Sequence, residues 1–321
     1  MRKEDCIIIG GGPCGLAAAI ALQNIGINPL VIEKENIVHS LYRFPTHQTF
    51  FSTSDRLEIG DVPFITENRK PNRNQALAYY REVARIKDIR VNKYEKVSDV
   101  KRKDGSLIVQ TTKDTYVADD VVVATGYYDH PNELKIPGEH LPKVSHYFKE
   151  AHPFYDMDVA VIGGKNSSVD AAIELVKAKA RVTVYYRGSD YSDHIKPWVL
   201  PEFQSLVKNG LIEMIFQAHI KEITETSIIY EKDGNIFERK NDFVFAMTGY
   251  RPDHRFLRKI GVEIEEHSGR PKFQPETMET NVPGIFIAGV IAAGNNANEI
   301  FIENGRFHGE RIAEAIKKKR K

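Results

Sequence analysis

Short apolar runs that end in glycine recur along the chain and predict buried strands. The first run, Cys6 to Ile9, enters a glycine-rich turn, and the Ala- and Leu-rich segment from Leu16 to Asn24 has the composition of a helix. A second apolar run, Asn28 to Glu33, ends on an acid. Because a buried strand, a helix and another buried strand form a βαβ unit when they occur in this order, the pattern predicts parallel strands in an α/β fold.

The same pattern restarts in the second half of the chain, as a strand from Asp158 to Ile162, a helix from Val169 to Lys177 and a strand from Arg181 to Arg187. Each copy also has a strand that starts on an acid and ends on Thr-Gly, namely Asp120 to Gly126 and Asp242 to Gly249. Two copies of both features indicate an internal duplication. The sequence therefore predicts two Rossmann-like nucleotide-binding domains.

The segments outside the two copies are less regular. Arg73 to Ile86 has apolar residues at helical spacing. A final strand from Asn281 to Gly289 precedes a C-terminal helix that begins near Asn298 and runs to about Lys317. Three further runs, with turn signals between them, predict a β meander: Arg90 to Val97, Leu107 to Thr112 and Thr115 to Ala118.

Composition narrows the classes of ligand and compartment. A formal charge of +1, from 45 basic and 44 acidic residues, gives no electrostatic reason to expect nucleic acid or an anionic membrane as partner. No apolar run approaches the roughly 20 residues of a membrane span. Met1 to Asp5 leads into a strand without a signal segment. We therefore expect a cytoplasmic protein of two domains that acts on small molecules.

The two cysteines, Cys6 and Cys14, lie eight positions apart across a strand and a turn. That placement disfavours an intramolecular disulfide and matches no zinc-binding spacing, so no metal is expected. Electron transfer would therefore depend on a bound cofactor. Cys14 is the candidate for a thiol relay, because Cys6 lies within a buried strand and packs there.

The first glycine turn has the spacing Gly10-x-Gly12-x-x-Gly15 of a dinucleotide-binding fingerprint, in the required strand and helix context. Gly10 allows the tight turn, Gly12 lets a pyrophosphate approach the backbone, and Gly15 lets the helix pack closely on the sheet. The acid Glu33 would bind an adenosine ribose. The residues of this copy predicted to contact the cofactor are Gly10, Gly12, Pro13, Cys14, Gly15, Glu33 and Lys34.

The second copy differs at positions that a nucleotide would contact. Lys165 takes the place of the middle glycine and would either add charge at a pyrophosphate or obstruct its approach. The second strand ends on Arg187 rather than on an acid, and an arginine there accommodates a 2′-phosphate, so NADPH is the expected nucleotide. The alternative is a solvated residue at the strand end. The predicted contacts are Gly163, Lys165, Asn166, Ser167, Ser168 and Arg187.

Flavin contacts are expected elsewhere in the chain. An irregular, aromatic-rich loop from Leu41 to Ser54 offers amide and hydroxyl groups to a flavin edge, or else forms a packed surface loop. A helix that begins near Asn298 would direct the positive end of its dipole at a reduced flavin. The predicted flavin contacts are Gln48, Gly289, Val290, Glu299 and Ile300. At the strand ends, Thr125, Gly126, Thr248 and Gly249 are predicted to contact a cofactor.

With these blocks in order, the whole chain resembles the low-molecular-weight thioredoxin reductases and their relatives. The matching blocks are Gly10 to Gly15, Ala124 to Gly126, Val161 to Ser168, Met247 to Gly249 and Gly284 to Gly289. The resemblance implies FAD and NADPH as cofactors, and a homodimer or higher homo-oligomer. It also implies an FAD-binding domain made of residues 1–129 and 249–321, with an inserted NADPH-binding domain at residues 130–248.

Departures from that family pattern indicate a subgroup. The Cys-x-x-Cys pair of thioredoxin reductases is absent from Val144 to Glu150, where it would be expected. Val290 replaces the usual Asp that holds the flavin ribitol, and Cys14 replaces the usual Ala of the first turn. These features resemble the bacillithiol disulfide reductases. The resemblance implies that NADPH and FAD reduce the disulfide of a low-molecular-weight thiol, with Cys14 as catalytic residue, and a small redox protein is a second kind of partner.

Other functions fit the same scaffold. A flavin monooxygenase or NADPH oxidase would use dioxygen, a ferredoxin or flavodoxin reductase would also lack Cys-x-x-Cys, and a dinucleotide sensor would have no activity. Cys14 is either an electron relay or a packing residue, because the helix N-terminus favours its thiolate and a neighbouring pyrophosphate disfavours it. His146 and His152 lie near the position of the missing cysteines, and each is either an acid to a leaving thiolate or a structural residue.

Overall fold

The computed structural model describes residues 1–296 and 298–320. The chain divides into two compact units. The first comprises Met1–Arg43, His47–His130 and Tyr250–Lys321, and the second comprises Phe44–Thr46 and Pro131–Gly249. The sequence places its domain boundaries at residues 129 and 248, and the nucleotide that each unit binds stays a prediction.

The elements are numbered along the chain. The strands are β1 (Arg2–Ile9), β2 (Leu30–Ile32), β3 (Val91–Asn92), β4 (Val97–Lys103), β5 (Ser106–Thr111), β6 (Thr115–Val123), β7 (Val144–Ser145), β8 (Asp158–Ile162), β9 (Arg181–Tyr186), β10 (Ile212–Phe216), β11 (His219–Ile223), β12 (Ser227–Lys232), β13 (Asn235–Lys240), β14 (Phe243–Ala246) and β15 (Ile285–Ile287). The helices are α1 (Pro13–Gln23), α2 (His39–Tyr42), α3 (Ser54–Leu57), α4 (Arg73–Ile86), α5 (Asn166–Lys177), α6 (Leu200–Lys208), α7 (His254–Lys259), α8 (Ile302–Gly305) and α9 (His308–Lys319), with 3-10 turns at His152–Phe154 and Val290–Ala293. None of the described helices is long and apolar enough to cross a membrane.

The seven-stranded sheet of the first unit contains the first βαβ copy. Its parallel part runs in the order β3-β2-β1-β6, and β15 pairs with the end of β6. The register places Ile9 opposite both Ile32 and Val123, so the three strands end together where the glycine turn begins. Strands buried on both faces read as continuous apolar runs, and Cys6 to Ile9 is accordingly 6% exposed or less.

The second unit repeats this arrangement with a parallel sheet in the order β10-β9-β8-β14-β7. Helix α5 connects β8 to β9, as α1 connects β1 to β2. Val159 and Val161 point into the apolar cluster on the helix side of the sheet. Ala160 and Ile162 belong to a second cluster that includes Tyr230 of the antiparallel sheet β11-β12-β13. The predicted α/β fold with two Rossmann-like units is confirmed.

Most predicted elements are present, but the meander differs. Helix α4 has the predicted bounds, Arg73–Ile86. Thr115 to Ala118 and the strand from Asp120 form one strand, β6, because β1 pairs with it from Tyr116 to Val123. On its other edge, β5 pairs with the first half and β15 with the second. Of the predicted strand Arg90 to Val97, β3 retains two residues. Strand β4 was not predicted, since its mostly polar sequence has three exposed residues at its end.

The C-terminal helix begins later than predicted. Residues 298–299 form a turn, Ile302–Gly305 form the single helical turn α8, and the long helix α9 begins at His308. The predicted helix start near Asn298 is therefore wrong. The expectation that the dipole of a long helix starting near Asn298 points at a flavin is therefore also wrong.

Helix α9 packs directly against α1. A methyl group built on Gly309 would lie 2.6 Å from the Cα of Ala18 and 2.9 Å from its N atom. These distances are well below van der Waals contact, so the two helix backbones touch and a side chain at position 309 would push them apart.

Gly309→Ala should therefore lower the free energy of unfolding by about 1–3 kcal/mol, because overpacking outweighs the gain in helix propensity. Urea unfolding followed by circular dichroism measures this change. The matched control is Glu310→Ala, an exposed neighbour on the same helix, which should stay within about 0.5 kcal/mol of the parent. A Gly309→Ala protein as stable as the parent would show that the helices separate without loss of stability.

Candidate functional site

In the first glycine turn, two glycines have no room for a side chain and a third has free space beside it. A methyl group built on Gly10, where φ is +110°, would lie 2.5 Å from the Ala124 carbonyl oxygen, and one built on Gly15 would lie 2.1 Å from the Gly10 carbonyl oxygen. Around Gly12, by contrast, no atom of the described residues lies within 4 Å of that point. Gly10 and Gly15 are therefore required by packing, whereas Gly12 leaves room for a ligand beside the first turn of α1.

Glu33 lies under this turn and is 7% exposed. Its Oε2 accepts a hydrogen bond of 2.7 Å from the Gly11 N–H, and its Oε1 accepts one of 2.9 Å from the Glu35 N–H. The carboxylate is thereby fixed, and each oxygen retains acceptor capacity for a ribose hydroxyl. Lys34 forms an ion pair of 2.9 Å with Asp129, so its charge is already compensated within the first unit.

The Thr-Gly end of β6 contains an orphaned polar group. The buried Thr125 Oγ1 has no hydrogen-bond partner among the described residues. Gly126, at φ +67°, has no atom within 4 Å of a built methyl group. A buried hydroxyl without a partner is unfavourable because its desolvation is not compensated by a hydrogen bond. A cofactor with a polar group here would supply that hydrogen bond. The residues of the first unit therefore fit a dinucleotide such as FAD.

The C-terminal glycine turn lies after β15. Gly289 has φ +78°, and its N–H donates to Nδ1 of His308 at 3.1 Å. His308 is 8% exposed, and burial, followed by the charge of Arg311, lowers its pKa to about 4. Val290 offers no side-chain oxygen, and no hydrogen bond to its N–H is found within residues 1–296 and 298–320. His308 was missed in the sequence, because no spacing or motif distinguishes it.

Cys14 is half-buried at the start of α1. Its Sγ packs between two glycines, because methyl groups built on Gly289 and Gly305 would lie 3.1 and 3.0 Å from the sulfur. Burial raises the pKa of the Cys14 thiol to about 12. The pKa of Cys6, which is 0% exposed, is also raised well above its usual value, by burial and then by Asp120. Both thiols are therefore protonated at neutral pH in this structure.

The strand register corrects one positional inference about the second unit. Ile162 pairs with Tyr185 as Ile9 pairs with Ile32. The position equivalent to Glu33 is therefore Tyr186, and Arg187 is the residue after it. The Tyr186 ring covers Gly164, where a built methyl group would lie 2.3 Å from the ring. Sequence spacing could not place the acid position, because register depends on strand pairing.

Arg187 and Lys165 are exposed, and no ion pair found in the described residues includes either of them. Lys165 precedes α5 at the place of Gly12, and Ser167 is also exposed. Both side chains and the exposed guanidinium are free to meet a nucleotide.

Asn166 and Ser168 make contacts within their own unit instead. The Asn166 amide donates to the His194 carbonyl at 2.9 Å and accepts from the Lys196 N–H at 2.8 Å. Ser168 is 1% exposed and donates to the Lys165 carbonyl at 2.7 Å. It stands at the place of Gly15, and a methyl group built on Gly163 would lie 3.2 Å from its Cβ.

The remaining predicted contacts are mostly engaged within their own units. Thr248 Oγ1 donates to the Asn132 carbonyl at 2.5 Å, next to Gly249 at φ +86°. The Gln48 side chain donates to the Thr49 carbonyl at 2.8 Å. Glu299 forms an ion pair with Arg270. A methyl group built on Gly305 would lie 3.1 Å from Ile300 Cγ2, which places Ile300 near Cys14.

The two histidines differ in their surroundings. His146 Nε2 lies 3.2 Å from Glu139 Oε1, and that carboxylate also accepts from the Leu134 and Lys135 N–H groups. His152 is exposed at the start of a 3-10 turn. Within the described residues, no group of three or more His, Cys, Asp or Glu side chains could hold a metal ion. His146 thus has a structural partner, and its role as an acid stays a prediction.

The chain is similar to known proteins over its whole length. The family model described as pyridine nucleotide-disulphide oxidoreductase matches residues 7–289. Bacilliredoxin reductase Bdr of Bacillus subtilis (strain 168) is 64% identical over 321 residues, with 99% of each chain covered. The structure of bacillithiol disulfide reductase Bdr from Bacillus cereus has 65% identity and a TM-score of 0.98, covering 99% of this chain and 100% of its own. The Staphylococcus aureus structure of the same name has 54% identity and a TM-score of 0.97, with both chains fully covered.

Thr125→Val should separate ligand binding from stability, because the hydroxyl has no protein partner. We expect the apoprotein to be at least as stable as the parent in urea, and its affinity for FAD to fall by roughly 2- to 13-fold, the equivalent of one lost hydrogen bond. Fluorescence titration of apoprotein with FAD measures the affinity. Thr248→Val is the control, since that hydroxyl is bonded to Asn132: it should lose stability and bind FAD normally. Unchanged FAD affinity in Thr125→Val would contradict the placement.

Proposed function

Since the chain belongs to the pyridine nucleotide-disulphide oxidoreductase family, we propose that it reduces the disulfide of a low-molecular-weight thiol, bacillithiol disulfide, using NADPH. The observation that carries this proposal is the whole-chain identity of 64–65% with proteins named for bacilliredoxin and for bacillithiol disulfide. The predictions of an enzyme and of FAD and NADPH as cofactors are confirmed by the family.

The residues of the first unit supply the FAD site. The turn from Gly10 to Gly15 would hold the pyrophosphate, Glu33 the ribose, and Thr125 a polar group further along the cofactor. Acceptance of hydride from NADPH and delivery of electrons to the disulfide are the chemistry that FAD supplies when bound. The protein's own contribution is to hold the cofactor in one geometry.

The second unit would hold NADPH at the turn from Gly163 to Ser168. Tyr186 replaces the acid that would repel a 2′-phosphate, and the exposed Arg187 beside it carries a guanidinium without an ion pair in the described residues. Lys165 adds a second cation at the N-terminus of α5. These charges support NADPH as electron donor over NADH.

Two acceptors follow from the names of the relatives, a small-molecule disulfide and the small redox protein bacilliredoxin. Anaerobic NADPH consumption with a panel of acceptors tests them: bacillithiol disulfide, glutathione disulfide, oxidised bacilliredoxin, ferredoxin, and no acceptor. We expect turnover with bacillithiol disulfide. Turnover with bacilliredoxin alone would show that the substrate is that protein and not the small-molecule disulfide. Turnover with ferredoxin alone would refute disulfide reduction.

Arg187→Ala should remove most of a preference for NADPH over NADH. A charge-assisted contact to the 2′-phosphate contributes roughly 1.5–3 kcal/mol, or about 10- to 150-fold in kcat/KM. Steady-state kinetics with both nucleotides measure the ratio. Arg181→Ala is the control at the other end of β9, where the arginine pairs with Asp156 and Asp158, and its nucleotide ratio should stay unchanged. Equal use of both nucleotides by the parent would contradict the assignment.

We assign the thiol of the reaction to Cys14. Its raised pKa of about 12 means that the thiolate fraction grows about tenfold per pH unit from neutral pH upward. If this thiolate reacts, disulfide reduction should rise with pH at that slope. Cys14→Ala should still bind FAD and should keep the slow oxidation of NADPH by oxygen. Its rate of disulfide reduction should fall by orders of magnitude. Full activity of Cys14→Ala would show that Cys14 is only a packing residue against Gly289 and Gly305.

A cytoplasmic location and a homodimer complete the proposal. The homodimer rests on the resemblance to the thioredoxin reductases and their relatives, and the cytoplasmic location rests on the proposed reduction of a low-molecular-weight disulfide with NADPH. Analytical ultracentrifugation of the FAD-loaded protein tests the dimer, and a single species at the mass of one chain would contradict it.

A further inference from the structure

The position after Gly289 lacks a polar side chain. In the family pattern an Asp at this position holds the flavin ribitol, and here it is Val290, whose side chain cannot accept or donate a hydrogen bond. The Val290 N–H has no hydrogen-bond partner within residues 1–296 and 298–320. A contact with FAD at this position therefore has to come from the backbone, and its direction depends on how Gly289 is held.

Backbone hydrogen bonds fix the Ala288 N–H and the Gly289 carbonyl. The Ala288 N–H donates to the Val123 carbonyl at 3.0 Å, which joins β15 to β6. The Gly289 carbonyl accepts from the Ala292 N–H at 3.1 Å in the 3-10 turn. Between these two bonds lies the Gly289 N–H, and its partner is a side chain, Nδ1 of His308.

His308 is well suited to hold that amide. It is 8% exposed at the first turn of α9, whose backbone touches α1 through the next residue, Gly309. To accept from Gly289, Nδ1 must carry no proton, which fixes the neutral tautomer with its proton on Nε2. Burial, followed by the charge of Arg311, lowers the pKa of His308 to about 4, so the imidazole is neutral at physiological pH.

Cys14 limits the turn from the other side. A methyl group built on Gly289 would lie 3.0 Å from Cys14 Cβ, and the left-handed φ of +78° at Gly289 disfavours any side chain there. The Gly289 peptide is thus held between α1 and α9, with His308 as its hydrogen-bond acceptor. A change at His308 would release the Gly289 N–H and leave the Ala292 bond to the Gly289 carbonyl as the remaining hydrogen bond at this residue, without altering the strands on which the turn rests.

We propose that His308 is a positioning residue for FAD: its Nδ1 holds the Gly289 N–H and, together with the Ala292 bond to the Gly289 carbonyl, fixes the Gly289 backbone so that the Val290 N–H donates to the cofactor where related proteins use an Asp. The proposal rests on FAD as the cofactor of the first unit. It does not depend on the identity of the disulfide, because its measurements are made without an acceptor.

The test compares FAD binding in variants that differ in one acceptor atom. Asn places its Oδ1 close to the position of Nδ1 of His, whereas Gln extends past it and Leu has no acceptor. Titration of each apoprotein with FAD, followed by flavin fluorescence, gives Kd, and the visible spectrum of the bound flavin reports its surroundings. We expect H308N to stay within about threefold of the parent, and H308L and H308Q to bind FAD at least about tenfold more weakly, with a shifted flavin spectrum.

A matched control separates positioning from stability. Ile316→Ala removes a fully buried side chain from the same helix, away from Gly289, and should lower the urea midpoint while leaving the Kd for FAD and the flavin spectrum unchanged. Equal Kd values for H308L and the parent, or for H308N and H308Q, would overturn the proposal. An equally raised Kd in Ile316→Ala would also overturn it. If H308L does not fold, the comparison of H308N with H308Q decides.

Discussion

The contact between the Gly10 carbonyl oxygen and Gly15 is the constraint on which the first unit depends. A side-chain carbon at position 15 would lie 2.1 Å from that oxygen, so α1 can rest on the sheet only because the residue is glycine. The close approach brings the start of α1 to the edge where β1, β2 and β6 end. Glu33 and Thr125 follow the ends of two of these strands. Parallel strands that end together are why residues distant in sequence form one site.

The second unit does not require glycine where its helix rests on the turn. Ser168 stands where Gly15 stands in the first unit, and its hydroxyl fills the space between helix and turn by bonding to the Lys165 carbonyl. Lys165 occupies the open position of Gly12, and the Tyr186 ring occupies the place of the Glu33 carboxylate. The acid of the first site is thus replaced by a cation and an aromatic ring in the second. The duplication therefore preserved the sheet while the charge at its edge changed sign.

The sequence was sufficient for elements whose stabilisation is local. Helix α4 was predicted at its observed bounds because its apolar residues repeat with helical spacing. The structure adds a second local contribution, a capping box between Asn72 and Gln75. Strand β4 was missed because its stability comes from pairing with β5. Its sequence is mostly Ser, Asp, Lys and Arg, and such a polar pattern does not predict a strand. Tyr186 and His308 were missed for the same physical reason. Register and the partner of a buried amide are set by tertiary contacts, and no local pattern records them.

The close packing of α9 on α1, and the pairing of β15 with β6, have a consequence for the order in which the chain can fold during synthesis. Residues Pro131–Gly249 of the second unit leave the ribosome before β15 and α9 exist, so its parallel sheet can form first. Until the last segment emerges, the end of β6 has an unpaired edge and one face of α1 is exposed. Edges of this kind recruit other chains. A ribosome that stalls after Gly249 would thus release a chain with one finished unit and one aggregation-prone unit.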